Sequence, residues 1–265
     1  MRQERELTVE EVKKLIFSIL IDFDDFCNKN NLNYSLAGGT LLGAVRHHGF
    51  IPWDDDIDVY MPRRDYDFLL NNYNKWGKEK GYKIISCKNR GFFMMIAKII
   101  DTSTFAMEAN RYEKIGVWID ILPVEFVDDI GVKEKNLLYS YSEQMYFLGK
   151  KEYLQTRNPF TFFKRIVARY VKKKNIQKKY YNLINRHRGQ INCCFYSKRR
   201  QAVWSRLPQN LGIDSSETTL LFEGRRFKVM KKWEEYLRIY FGSNYMELPP
   251  EKERISHDCS LRIHR

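Results

Sequence analysis

The chain has 265 residues and a mass of 31.9 kDa, enough for one large domain or a domain with an appended subdomain, and in either case for a sizeable core. Its composition is ordinary for a soluble globular protein; no window approaches the roughly 18 apolar residues of a spanning helix, and the opening MRQERELTVE lacks the apolar stretch of a secretory signal. The net charge is +13, and the five cysteines form an odd set without CxxC spacing, which excludes a disulfide framework and a zinc ribbon and leaves reduced thiols in a cytoplasmic protein.

Residues 8–29 have the pattern of an amphipathic helix, with Thr8 and Glu11 at capping-box spacing and Val12, Leu15, Ile16, Ile19, Leu20 and Phe23 on one face. Residues 33–37 alternate like a strand and run into Gly38-Gly39-Thr40, after which residues 41–47 have helical character. A second strand is predicted over residues 57–61, stopped by Pro62 and followed by a helix from Arg64 to about Tyr73. Residues 82–86, 94–100 and 117–122 supply three further strands, and this alternation predicts a layered α/β or α+β domain. From Lys133 to Arg188 the pattern turns helical, with Phe160, Phe163, Val167, Tyr170 and Val171 on one face and Lys164, Arg165, Arg169, Lys172 and Lys173 elsewhere. After Pro208, residues 220–229 have a hairpin pattern with Glu223-Gly224 at the turn, and residues 233–241 a short helix ended by Gly242.

Chemistry concentrates in GFIPWDDDIDVYMP, residues 49–62. Asp54, Asp56 and Asp58 are spaced to share one face of an extended strand, with Asp55 and Ile57 on the other. Like charges so close resist joint ionisation, and the flanking Ile51, Pro52, Trp53, Val59 and Met61 favour burial. Three converging carboxylates in such surroundings call for a hard cation such as Mg2+, with Mn2+ as the substitute. Asp120, alone among apolar residues in VWIDILP, is the candidate for a further ligand from another strand. Gly38, Gly39 and Thr40, between strand and helix, suit a phosphate at backbone N–H groups. Arg46 and Lys98 are candidates to neutralise phosphate charge. His257 fits a general acid, a phosphate ligand or a helix cap, and Glu223 a ligand or a hairpin contact, while His47 and His48 fit structural roles.

The run SLAGGTLLGAVRHHGFIPWDDDIDVYMPRRDYDFL closely resembles the signature of the LicD family in the nucleotidyltransferase superfamily. AKIIDTST, WIDILPVEF, LLFEGRRFKV and YFGSNYMELPPEKERISH resemble its later segments, and residues 130–215 carry no recognisable motif. Leu122 stands where the family often has Phe and Met230 where it often has Pro, both packing changes. The resemblance implies an α+β fold, a mixed sheet of the DNA polymerase β palm type flanked by helices. Its expected layout is a catalytic core over residues 1–130, a helical basic subdomain over 131–213, and a C-terminal segment, 214–265, completing the core. It also implies transfer of a phosphoalcohol, typically phosphocholine, from a CDP-linked donor to a hydroxyl of a glycan or lipid-linked glycan precursor such as teichoic acid, lipopolysaccharide or capsule. Carried over position by position, Asp54, Asp56, Asp58 and Asp120 match the acidic metal-binding positions, and Gly38, Gly39 and Thr40 the glycine turn. Asp56, Asp58, Asp120 and His257 are the expected catalytic residues, and Arg46, Lys98 and Glu223 join the glycine turn in substrate binding. A choline ammonium seeks aromatic faces, for which Trp53, Tyr112, Trp118 and Trp204 are available.

Charge is distributed unevenly. Residues 153–213 hold 15 Lys and Arg and no acid, against 31 basic and 33 acidic residues in the rest of the chain. Such a segment suits an anionic polymer or an acidic membrane at the inner face of the cell envelope. The rival reading, an enzyme or binder acting on RNA through this segment, lacks any RRM, KH or zinc-finger motif.

Overall fold

The computed structural model describes residues 7–107, 114–127, 131–189, 192–195, 211–214, 217–254 and 262–264. Helix α1 (Val9–Lys29) begins at the expected capping box, with Thr8 Oγ1 accepting from the Glu11 N–H and Glu11 from the Thr8 N–H. Its Ile16, Ile19, Leu20 and Phe23 face the core. There follow β1 (Ser35–Leu36), α2 (Gly38–Arg46), β2 (Asp58–Pro62), α3 (Arg63–Gly77), β3 (Tyr82–Ser86) and β4 (Ala97–Asp101). Next come β5 (Phe105–Met107), β6 (Lys114–Ile115), β7 (Trp118–Val127), α4 (Val132–Gly149), α5 (Lys151–Leu154) and α6 (Pro159–Arg186). The last elements are β8 (Asn192–Phe195), β9 (Thr219–Phe222), β10 (Arg225–Lys228), α7 (Trp233–Phe241) and β11 (Arg262–His264).

The expected mixed sheet flanked by helices is present. Its strands run in the order β1-β2-β7-β4-β3, with β8 also paired to β7. β2 and β7 are parallel and the other pairs in this sheet antiparallel. Helix α1 packs on β4 and β7, and α3 on β2, β3 and β7. Several bounds shift: α3 runs on to Gly77 and β7 to Val127. The helix predicted from Leu41 starts at Gly38, so the glycines form its first turn. The strand predicted from Met94 starts at Ala97, because the Ser86 N–H is taken by Asn89 Oδ1 at 2.8 Å and the ladder with β4 ends at the Ser86–Ala97 pair.

Three hydrophobic clusters hold these layers, the third made of Ile85, Phe92, Ile96 and Ile100 and the other two large. The larger joins α1, α2 and the sheet to Leu211, Ile213, Phe222, Phe227, Val229, Met230, Tyr236 and Leu237, so the C-terminal segment packs into the N-terminal core. The smaller joins Leu138, Met145 and Leu148 of α4 and Ile176, Tyr180 and Ile184 of α6 to Cys87, Phe93 and Met95 of the β3–β4 connection and to Val127 of β7. The face of α6 that turns inward differs from the apolar one: Arg169 and Lys173 are buried, whereas Phe160, Phe163, Val167 and Val171 are exposed. Lys173 Nζ donates to the carbonyls of Asn89, Arg90 and Phe92, a set of acceptors no aliphatic side chain could satisfy.

Candidate active site

The start of α2 is built around Asp58. The Asp58 N–H donates to Thr40 Oγ1 at 2.9 Å, and the Asp58 carbonyl accepts from the Ala37 N–H at 3.0 Å. Gly38 holds a left-handed φ of +50° and donates its N–H to the Tyr236 hydroxyl at 3.2 Å. A Cβ on Gly38 would lie 3.2 Å from Asp58 Oδ2, and one on Gly39 only 2.4 Å from Asp54 Oδ2. Glycine is therefore required twice, once for the backbone angle and once for the space a carboxylate occupies. Two acids thus lie at the N-terminal turn of a helix, where the peptide dipoles favour negative charge.

Asp58 stands opposite Asp120 in register on the parallel strands β2 and β7. Asp54 and Asp56 precede β2, and only Asp58 of the three lies in the strand, so strand alternation is not what brings them together. They converge nonetheless. The Asp56 carboxyl is pushed well above the usual carboxylate range, first by burial and then by the charges of Asp58, Asp54 and Asp120, with a hydrogen bond to Asp54 adding to the effect. Lys98, opposite Asp120 on β4, places its ammonium 2.6 Å from Asp120 Oδ1 and 4.1 Å from the centre of the Trp118 ring.

Among the described residues, no group of three His, Cys, Asp or Glu side chains is arranged to hold a metal ion. The expected cage is thus not preformed: Lys98 occupies Asp120, and Asp56 is hydrogen-bonded to Asp54. The donor chemistry nevertheless fits a hard cation, since every donor is a carboxylate oxygen and the mutual repulsion among these carboxylates is what a cation relieves.

Of the remaining expected residues, Arg46 and Glu223 are engaged in contacts within the protein. Arg46 Nη1 donates to the carbonyls of Tyr245 and Glu247 at 3.0 and 2.9 Å, so the guanidinium anchors the segment after α7. Desolvation, then the neighbouring Arg254, lowers its pKa. Glu223, at φ +49°, accepts from the Phe50 N–H at 3.0 Å, and a Cβ on Gly49 would meet Glu223 Oε1 at 2.1 Å. It makes the hairpin contact, clasping the loop that leads to the aspartates. The His47 ring meets Trp53 edge-on at 6.3 Å, and the Arg254 guanidinium lies 5.2 Å from the Trp53 ring centre. His257, Tyr112 and Trp204 lie outside the described residues.

Tyr236 is the site residue that sequence reasoning missed. Its hydroxyl accepts from Gly38 and lies 3.3 Å from the Tyr60 hydroxyl, and burial first of all raises both phenols. On an amphipathic helix such a tyrosine has the same pattern as a core aromatic; nothing local marks the partner 198 positions away.

Residues 31–170 match the family described as LicD/FKTN/FKRP, nucleotidyltransferase domain. The chain is 29% identical over 275 aligned positions, 96% of its own length and 97% of the relative's, to the lipopolysaccharide cholinephosphotransferase LicD of Haemophilus influenzae. Shorter matches are to uncharacterized proteins of Rickettsia typhi, 30% identical over 47% of this chain and 39% of theirs, and of Rickettsia prowazekii, 40% identical over 22% and 26%. The family match covers more than half the chain and includes all four converging aspartates together with the glycine turn that makes room for them. The chain belongs to the LicD/FKTN/FKRP family.

Proposed function

We propose that this protein transfers phosphocholine from CDP-choline to a hydroxyl of a cell-surface glycan precursor of the lipopolysaccharide kind, releasing CMP, on a sheet of the nucleotidyltransferase palm type. The observation that carries the reading is the register of Asp58 against Asp120 on parallel strands, beneath a helix start where only glycine fits. The near full-length similarity to a lipopolysaccharide cholinephosphotransferase supports the choice of group and acceptor.

In the proposed step the acceptor oxygen bonds to the β-phosphorus of the donor, the P–O bond to CMP breaks, and CMP leaves with the electron pair. The hydroxyl proton passes to an aspartate. Asp120 is suited to take it because Lys98 holds it in place. Mg2+, or Mn2+ in its stead, held by Asp54, Asp56, Asp58 and Asp120, would neutralise charge on the pyrophosphate. Trp53 and Trp118 sit next to and two residues before site aspartates, and each ring already carries a side-chain cation, Arg254 and Lys98. The same faces suit a quaternary ammonium.

The test is incubation of the purified chain with CDP-choline, Mg2+ and a lipopolysaccharide acceptor, with CMP as the readout. CMP is expected only when acceptor is present. Asp58→Asn and Asp120→Asn are each expected to lower turnover about a hundredfold or more without loss of fold. Release from CDP-ribitol or CDP-glycerol but not from CDP-choline would overturn the choice of donor, and wild-type turnover in either variant would remove that aspartate from the chemistry.

A further inference from the structure

The outward face of α6 has no job in the reaction above. Phe160, Phe163, Val167 and Val171, spaced three and four residues apart, share one side of the helix, and they are 67%, 66%, 65% and 54% exposed. The opposite side is already committed to the body through Arg169, Lys173, Ile176, Tyr180 and Ile184. The apolar stripe is therefore surplus to the fold. At the same helical spacing it continues into Lys174 and Lys178, both exposed, and Lys164 flanks it with its ammonium 4.5 Å from the Phe160 ring centre. No acid occurs anywhere from Tyr153 to Ile213.

We propose that this face of α6 docks the protein on an anionic lipid bilayer, the helix lying in the plane of the interface with the phenylalanines and valines below the headgroups and the lysines among them. One surface satisfies both halves of the face: acyl chains take the apolar stripe, and lipid phosphates take the cations. Lys164 is placed to lay its methylene stem along Phe160 while its ammonium reaches outward. A second copy of the chain fits poorly, because pairing two such faces sets lysines against lysines in one orientation and lysines against the apolar stripe in the other. A nucleic acid would meet the lysines and leave four large apolar side chains in water. No helix among the described residues is long and apolar enough to cross a membrane, so the contact is with the surface. Docking stands apart from the identity of the donor and of the acceptor.

The experiment is flotation of the full chain with vesicles of phosphatidylcholine and phosphatidylglycerol in equal parts, against vesicles of phosphatidylcholine alone, at low and high salt. The chain is expected to float with the anionic vesicles and to bind the neutral ones at least about tenfold more weakly, with binding reduced by salt. Phe163→Ser/Val167→Ser is expected to lower binding about tenfold. Lys174→Glu/Lys178→Glu is expected to lose about fivefold for each lysine neutralised, and more for the reversed charge. Both pairs are on the surface, and circular dichroism should show wild-type helix content. Absence of flotation, or equal binding by wild type and the Phe163→Ser/Val167→Ser variant, overturns the proposal. So does a wild-type dimer in sedimentation velocity that this variant abolishes, since the face would then join two copies. None of these readouts depends on turnover, so inactivity toward CDP-choline would leave the docking result intact.

Discussion

Asp56 shows how far the site departs from what suits stability alone. Its folded-state pKa is raised by burial and by the charges of Asp58, Asp54 and Asp120. A carboxyl raised in the folded state contributes stability that is fully present below its ordinary range and is lost as the pH climbs through the raised value. Above the ordinary carboxylate range, and without a cation, keeping Asp56 in the folded site therefore costs stability. Asp56→Asn keeps the shape and the hydrogen bonding to Asp54 while removing the group whose ionisation the site opposes. The ion-free variant should be more stable than wild type by about 1 kcal/mol, roughly 2–4 °C in melting temperature. Turnover should fall about a hundredfold or more. Scanning calorimetry in EDTA together with CMP release checks both halves. A melting temperature below that of wild type would mean that the carboxylate is held by its bonds more than it is opposed by its neighbours. Lys98 illustrates the same tension from the other side, since its ammonium is the cation nearest Asp120 in this structure.

The C-terminal hairpin is joined to α1 and to the turn after it by polar contacts between residues about 200 positions apart. Arg225 on β10 lies 2.5 and 2.6 Å from carboxylate oxygens of Asp24 and Asp25 on α1, and Lys228 donates to the Leu32 carbonyl at 3.0 Å. Asp24 is buried and also accepts from the Tyr34 hydroxyl at 2.6 Å, so it keeps a partner if the arginine is lost. Arg225→Ala should then cost about 2 kcal/mol, less than the loss of a sole partner to a buried charge. Urea unfolding measures this, and a cost under about 0.5 kcal/mol would reduce the pair to an exposed one. Contacts of this kind are where the sequence stops being readable. The capping box of α1, the hairpin turn at Glu223-Gly224 and the Gly38-Gly39-Thr40 turn were legible because their partners are local. Asp58 and Asp120 were legible because an acid in an apolar strand is conspicuous. The expected shared strand face of Asp54, Asp56 and Asp58 is absent, as the chain before β2 is irregular and the glycines of α2 shape it. Arg46, Glu223 and Tyr236 each bond a partner more than 170 positions distant, which no periodicity reveals. On α6 the pattern separates two faces without telling which turns inward; Arg169 and Lys173 turn inward because backbone carbonyls and an aromatic ring await them there.

The β3–β4 connection belongs to the helical cluster through Cys87, Phe93 and Met95 and leads directly into β4, the strand carrying Lys98, whose Ala97 and Ile99 belong to the larger cluster. The proposed membrane helix and the aspartate site are therefore joined by a short piece of chain, and Lys173 is its fastening. The side chain is buried, donates to Phe92 O at 2.8 Å and to two neighbouring carbonyls, and lies 4.8 Å from the Phe93 ring centre, while the Arg169 guanidinium lies 3.9 Å from the same ring. Lys173→Met retains the aliphatic volume and removes the donor, leaving carbonyls to find other partners at a cost of about 2 kcal/mol. Because those carbonyls lie in one connection, the loss should be local. Hydrogen exchange is expected to quicken over residues 87–96 and along α6, with α1 and β2 unchanged. If α1 and β2 quicken equally, the two clusters unfold as one unit and Lys173 is no boundary between them. If only α6 responds, the connection is held by its own turn, through Asn89 and Ser86, and the helix is merely laid against it.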